Sequence, residues 1–222
     1  MKSKTRVCVI SPEIVGPHKN GGIGTHAYYL SLFLSREMGQ EVTFIYTGEI
    51  GNHDEAYWRK WFREEKGIEF VWISPRSITG SDDEGHATGF PQISTRVYEW
   101  LRERTFDACH FQESLGNGFR SFQAKRLGIA FQDTRLTCTV HSSWDWINQA
   151  MQTLPQHGRG ELEAKFMERY SITHCDALIS PSQYMLDWVA ENRIPVRATQ
   201  HVLPYLFDPE RPAVGSDRKS VV

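Results

Sequence analysis

Short runs of apolar residues alternate with longer amphipathic segments along the whole chain. Six runs predict buried β-strands, because nearly every position in them is apolar or β-branched. They are Arg6–Ser11, Glu41–Thr47, Ile68–Ile73, Asp107–Phe111, Leu136–Val140 and Ala177–Ser180. Alternating strands and helices are typical of a parallel sheet that is covered by helices. We therefore expect an α/β fold, a Rossmann-like open parallel sheet with helices on both faces.

Four helices are predicted between these strands, because apolar residues recur there at helical spacing. The fourth helix begins after Ser182, a residue type that favours the N-cap position. The expected inward-facing residues are Ile23, Ala27, Leu30 and Leu34 in the first helix, Val97, Trp100 and Leu101 in the second (about 92–104), Leu162, Phe166 and Tyr170 in the third (about 161–173), and Met185, Trp188 and Val189 in the fourth.

Two segments have no apolar period. Ser74–Phe90 contains three glycines and a run of acidic residues, which predicts a long, mobile loop. Asp208–Ser220 is rich in proline, glycine and charge, which predicts a linker. We therefore expect one domain over 1–207, then a linker over 208–222 that leads into a second domain, starting as a new strand at Val221-Val222.

Composition excludes several classes of protein. Lys+Arg 25 against Asp+Glu 27 gives a net charge of −2, which argues against a nucleic-acid or anionic-membrane surface as the main partner. No apolar run approaches the roughly 20 residues of a membrane span, and the N-terminal run is too short for a signal peptide. The four cysteines lie far apart, which favours buried free thiols in a cytoplasmic protein and offers no metal-binding spacing.

A glycine-rich segment, Ser11–Thr25, joins the first strand to the first helix. Gly21 and Gly22 would expose backbone N–H groups at a helix N-terminus, where orphan donors and the helix dipole favour a phosphate. The order G-G-x-G is not the dinucleotide fingerprint G-x-G-x-x-G. A tight strand–helix turn without a ligand explains the glycines equally well.

Two further segments follow strands at the edge where α/β sheets bind ligands. His141, Ser142, Ser143 and Trp144 follow the fifth strand, and they could hydrogen-bond and stack on a sugar. Glu113 follows the fourth strand. A histidine at this position is more often structural than catalytic, and a glutamate there is often a solvated loop acid or lies beside a helix cap.

In their order, these segments resemble the N-terminal domain of GT-B glycosyltransferases, the group that includes glycogen and starch synthases and the family 4 enzymes. The matching pieces are Lys19-Asn20-Gly21-Gly22-Ile23-Gly24, Gln40–Thr43, Phe106–Phe111, Thr139–Ser142, Glu168 with Cys175–Ser182, His201–Pro204 and Phe207–Pro209. Where the synthases have H-D-W-H after the fourth strand, this chain has Gln112–Leu115. A glucan acceptor is therefore not expected.

The resemblance implies one half of a retaining glycosyltransferase, inactive without its own C-terminal domain. The donor would be a UDP-, ADP- or GDP-sugar, bound as a substrate, and neither a metal nor another cofactor is expected. The roles implied are His141 as the catalytic residue, Lys19, Gly21 and Gly22 as donor phosphate ligands, and Glu113, Asn117, Ser142, Ser143 and Trp144 as acceptor or sugar ligands.

Two other functions remain open from the sequence. The first is a non-catalytic Rossmann-like module that binds a nucleotide or a partner through the glycine loop. The second is a GT-B nucleotide-sugar epimerase, which would need carboxylates in the cleft, and Glu13 and Glu113 are the candidates.

Overall fold

One seven-stranded sheet organises the described residues of the computed structural model, which are 4–75, 89–154 and 158–206. All strand pairs are parallel, and the order is β3-β2-β1-β4-β5-β6-β7. The strands are β1 Arg6–Ser11, β2 Glu41–Tyr46, β3 Glu69–Trp72, β4 Ala108–Gln112, β5 Arg135–Thr139, β6 Ala177–Ser180 and β7 Thr199–Val202. This confirms the Rossmann-like fold expected from the sequence, because all the strands are parallel and a helix joins each strand to the next one along the chain.

The helices of the described chain are α1 Gly22–Arg36, α2 Glu55–Trp61, α3 Phe90–Arg102, α4 Phe119–Arg126, α5 Trp144–Met151, α6 Gly158–His174 and α7 Gln183–Glu191. A π-helical turn, Phe62–Lys66, continues α2, and a 3-10 turn, Ser114–Gly116, follows β4. Most of the loop predicted over Ser74–Phe90 lies outside the described residues. The domain boundary predicted at 207/208 also lies outside them.

Two apolar clusters cover the two faces of the sheet. Alternate residues of β1 divide between them, with Cys8 and Ile10 in one cluster and Val9 in the other. The first cluster also includes residues of α3, α4, α6 and α7, and the second includes residues of α1 and α2. Because both faces are covered, the central strands are apolar at consecutive positions. The four cysteines are all buried and free.

Helix α7 follows its sequence pattern, but α6 does not. Ser182 caps α7 by accepting a hydrogen bond from the Met185 N–H, as expected. In α6, Leu162 and Phe166 are each 60% exposed, so the predicted inward stripe is wrong at these two positions. Tyr170, the third residue of that stripe, is partly buried and packs against the first cluster. The buried side of α6 instead holds Ala164, Met167, Ile172, Glu161 and Glu168. The sequence pattern fails because this helix buries carboxylates that serve as hydrogen-bond acceptors.

The predicted stripe of α1 is also rotated. Its fully buried residues are Gly24, His26, Ala27, Tyr28 and Ser31, whereas Ile23, Leu30 and Leu34 are only half-buried. Small residues on the buried side allow α1 to pack closely against the sheet. This rotation turns His26 toward the loops that follow the strands.

Candidate functional site

The candidate site lies at the carboxyl edge of the sheet, where the loops after β1, β2, β4, β5 and β7 come together. Hydrogen bonds link these loops directly. Asn117 donates to Thr47 Oγ1 (2.7 Å), which joins the loop after β4 to the loop after β2. His141, after β5, contacts Gln112 on β4 and Tyr205 after β7. In α/β sheets this edge is where ligands bind.

The glycine loop is closed by a carboxylate from the same chain. Gly21 is the N-cap of α1 and has no side chain to cap the helix. Glu13 Oε2 takes that role, accepting from the N–H groups of Gly21 (2.8 Å) and Gly24 (3.3 Å). Negative charge at this position also interacts favourably with the dipole of α1. A phosphate ligand would therefore find the Gly21 N–H already bonded.

The loop is open at the next position. A Cβ built on Gly22 would meet no atom within 4 Å, whereas one on Gly21 would lie 3.2 Å from Glu13 Oε2. A Cβ on Gly24 would lie only 2.8 Å from the Glu13 Cβ, so Gly24 is needed for the close approach of Glu13. Gly22 and Lys19 are exposed. The structure therefore leaves room for a ligand at Gly22 and supplies a cation nearby in the sequence.

His141 is buried and is hydrogen-bonded at both ring nitrogens. Its Nε2 lies 2.6 Å from Gln112 Oε1, and its Nδ1 lies 2.6 Å from the Tyr205 hydroxyl. Because a carbonyl oxygen only accepts, Nε2 carries the proton and Nδ1 accepts from the Tyr205 hydroxyl. Burial, reinforced by the charge of His26, lowers the pKa of His141 to about 3. The imidazole is therefore neutral at physiological pH.

Glu113 holds the His141 loop through hydrogen bonds to its backbone. Its Oε1 accepts from the N–H groups of His141 and Ser142, both at 2.7 Å, and the residue is fully buried. Burial raises the pKa of this carboxyl to about 7, although the backbone donors oppose the shift. Within the described structure, Glu113 Oε2, Gln112 Nε2 and Thr139 Oγ1 are buried without a partner. Glu113 therefore fixes the backbone of the loop through one carboxylate oxygen, while its second oxygen has no partner within the described chain.

Three aromatic rings contact one another in the site. His26 packs against His141 (ring centroids 5.1 Å apart) and against Tyr205 (5.0 Å), and Tyr205 also contacts His141 (5.5 Å). Burial lowers the pKa of His26 to about 4. Its Nδ1 is buried and has no hydrogen-bond partner among the described residues. Two neutral imidazoles thus contact each other edge-on, and both contact the Tyr205 ring.

The remaining predicted residues have identifiable local partners. Ser143 caps α5, accepting from the Trp146 N–H (3.4 Å). The Trp144 N–H donates to Glu168 (2.9 Å), whose pKa is raised to about 8 by burial and by the charge of Glu113. The Trp144 residue also lines a cavity of about 220 Å³ between α5 and α6. Ser143 and Trp144 thus contribute to the α5 structure, whereas Ser142 and Asn117 belong to the loops of the site.

Four residues of this arrangement were not predicted from the sequence. They are His26, Gln112 and Tyr205, which surround His141, and Glu13 in its role as the cap of α1. His26 lies one helical turn after Gly22, which is the sequence signal that could have indicated it. Tyr205 is 64 residues from His141 in the sequence, and no local pattern predicts that contact.

Neither a metal-binding cluster nor a membrane-spanning helix occurs in the described part of the chain. No group of three or more histidine, cysteine, aspartate or glutamate side chains there could hold a metal ion. None of the helices there is both long enough and apolar enough to cross a membrane.

Comparison with known proteins agrees with this fold. The model of Glycosyltransferase Family 4 matches residues 20–211. The fold is similar to UDP-glucose:anthocyanidin 3-O-glucosyltransferase in complex with UDP (13% identity, TM-score 0.54, 98% of this chain and 56% of that one). It is also similar to Arabidopsis thaliana UGT89C1 complexed with UDP-L-rhamnose (15% identity, TM-score 0.53, 94% and 54%).

The present chain thus spans about half the length of these solved structures. A search of curated proteins gave no match. At this identity the likeness shows the fold alone, which is that of the N-terminal domain of a GT-B glycosyltransferase. The family assignment comes from the match over 20–211, which covers most of the chain. The chain belongs to Glycosyltransferase Family 4.

Proposed function

We propose that this chain is the acceptor-side half of a retaining glycosyltransferase that transfers a sugar from a nucleotide-sugar donor. The observation that supports this most directly is His141. It lies at the carboxyl edge of the sheet, held between Gln112 and Tyr205, and the α1 residue His26 packs against it. A buried polar side chain fixed at this edge is typical of a ligand-contacting residue.

His141 contributes hydrogen bonding rather than proton transfer in this proposal. A group whose pKa is about 3 is a weak base at neutral pH, so it does not serve as an efficient general base. Glu113 is fully buried beneath the loop and is therefore not placed to act as a nucleophile. A retaining reaction in which the leaving phosphate accepts the acceptor's proton needs neither group, and this agrees with the family resemblance.

The glycine loop binds the donor diphosphate in the same proposal. The open space at Gly22 allows a ligand to approach the backbone, and the dipole of α1 stabilises charge on the leaving group. Lys19 adds a positive charge from the preceding turn. UDP-, ADP- and GDP-sugars are the donors to be tested, and the acceptor is a carbohydrate or another small molecule. The C-terminal domain supplies the other donor contacts.

The nucleotide-sugar epimerase is less well supported. That reaction needs carboxylates facing the cleft, but Glu113 is fully buried, and Glu13 is bonded to the N–H groups of Gly21 and Gly24. The epimerase is therefore not retained as a second function.

The test is an assay of nucleotide release in the full-length enzyme, with UDP-, ADP- and GDP-sugars. His141→Ala should lower kcat by about 10²–10³-fold, the effect of removing one positioned polar group. His174→Ala is the matched control, because His174 ends α6, before β6, and thus lies at the opposite edge of the sheet. The anomeric configuration of the product, read by NMR, tests retention directly.

Two results would contradict the proposal. Unchanged kcat in His141→Ala, with a large fall in melting temperature, would assign His141 a structural role only. A product with inverted configuration would refute the retaining mechanism while leaving glycosyl transfer intact.

A further inference from the structure

The two nitrogens of His141 are bonded to partners of very different exposure. Gln112 is the last residue of the central strand β4 and is 1% exposed, so its bond to Nε2 is part of the sheet structure. Tyr205 is 39% exposed and lies after the edge strand β7, whose four residues are all exposed. The Nδ1 side is therefore the side that can change partner.

The partner at Nδ1 must be a hydrogen-bond donor. Because Nε2 carries the proton, Nδ1 presents a lone pair, and a neutral imidazole of low pKa does not acquire a second proton near neutral pH. A phosphate oxygen would place two acceptors face to face. A sugar hydroxyl can donate, as the Tyr205 hydroxyl does now.

We propose that Tyr205 is an internal substitute for a hydroxyl of the donor sugar, and that the sugar displaces it from His141 when the donor binds. This inference rests on the proposed function and adds the residue that competes with the substrate. Tyr205 holds its proton in the free protein, since burial, with a smaller effect of Glu113, raises its pKa to about 12. The phenol is therefore a competent donor to Nδ1.

His26 supports the exchange independently. The Tyr205 ring lies against both imidazoles, with centroids 5.0 Å from His26 and 5.5 Å from His141. His26 Nδ1 is buried and has no partner within the described chain. Withdrawal of Tyr205 uncovers both rings, so a polyhydroxylated ligand gains a contact to His26 that the single phenol hydroxyl does not make. The exchange thus favours a sugar over the phenol.

The test is Tyr205→Phe in the full-length enzyme, which removes the hydroxyl and keeps the ring. The donor no longer has to displace a hydrogen bond, so its KM should fall about two- to ten-fold with kcat unchanged. The inhibition constant of the free nucleoside diphosphate should stay the same, because that ligand lacks the transferred sugar. Tyr184→Phe is the matched control, since Tyr184 is 61% exposed and its hydroxyl accepts a hydrogen bond from the Trp146 indole N–H.

Each other kinetic outcome overturns the inference. A fall in kcat at unchanged KM would make Tyr205 a positioning residue for His141. An unchanged KM and kcat would mean that the hydroxyl does not compete with the donor. If the wild-type enzyme transfers no sugar from any donor, the proposed function itself fails, which is a different result.

A second measurement does not depend on turnover. Nitrogen NMR of the labelled chain reports the state of each imidazole nitrogen. Tyr205→Phe should shift the His141 Nδ1 signal toward that of a free lone pair and leave the Nε2 signal in place. An unchanged Nδ1 signal would show that the Tyr205 bond does not exist in solution, and it would overturn the inference even for an active enzyme.

Discussion

The buried carboxyl of Glu113 makes the stability of the domain depend on pH. Its pKa rises from an ordinary value of 4.5 to about 7, chiefly because burial disfavours the charged form. The folded state therefore holds this proton more tightly than the unfolded state does. The resulting stabilisation is fully present below the unfolded pKa and is lost as the pH rises through the folded pKa.

Glu113→Gln isolates this effect. The glutamine can still accept from the N–H groups of His141 and Ser142, but it cannot ionise. At ~1.4 kcal/mol per pH unit, the wild-type protein should lose about 2–3 kcal/mol more stability than the variant between about pH 5 and about pH 8. The variant should therefore become progressively more stable than the wild type as the pH rises.

The assay is urea unfolding across this pH range, followed by tryptophan fluorescence. Glu191→Gln is the matched control, because Glu191 is exposed at the end of α7. Its stability curve should run parallel to that of the wild type. Parallel curves for Glu113→Gln as well would refute the reasoning, because they would mean that Glu113 titrates alike in the folded and unfolded states.

Two glycine substitutions separate the requirement for ligand binding from the requirement for a stable fold. Gly22→Val should leave the melting temperature unchanged, because a Cβ there meets no atom within 4 Å. It should nevertheless depress donor turnover strongly in the full-length enzyme. Wild-type turnover would contradict the ligand role of Gly22. Gly116→Ala should destabilise the fold by about 2 kcal/mol or more, since its φ is +62° and the new Cβ would lie 2.2 Å from the Met167 Cβ; an unchanged urea midpoint would contradict this.

Strand positions were predictable because burial on both faces leaves a strong local signal. Six runs, among them Arg6–Ser11, predicted six of the strands in the described chain, and no strand end differs by more than one residue. The edge strand β7 was missed because Thr199, Gln200, His201 and Val202 are all exposed and the run is mostly polar. Its pairing with β6 comes from backbone hydrogen bonds, which the side-chain pattern does not encode.

The site was predictable only in part, for a related reason. Parallel topology places the ends of the strands at one edge, so His141 and Glu113 could be expected to lie close together. The partners that determine their chemistry come from distant parts of the sequence. His26 is carried by the rotated face of α1, and Tyr205 reaches the site from beyond β7. Contacts of this kind depend on packing and have no local periodicity.

Two candidate ligand contacts in the site already have a partner within the chain. The Gly21 N–H is bonded to Glu13, and His141 Nδ1 is bonded to Tyr205. Binding a donor at either point therefore exchanges one hydrogen bond for another, and the net gain is far smaller than that of a bond formed by an unpaired group. The electrostatic interaction with the ligand also differs between the two points. Glu13 repels a diphosphate, whereas the His141 lone pair attracts a hydroxyl. The diphosphate is thus directed to the open side at Gly22, away from Glu13, and the sugar to the imidazoles.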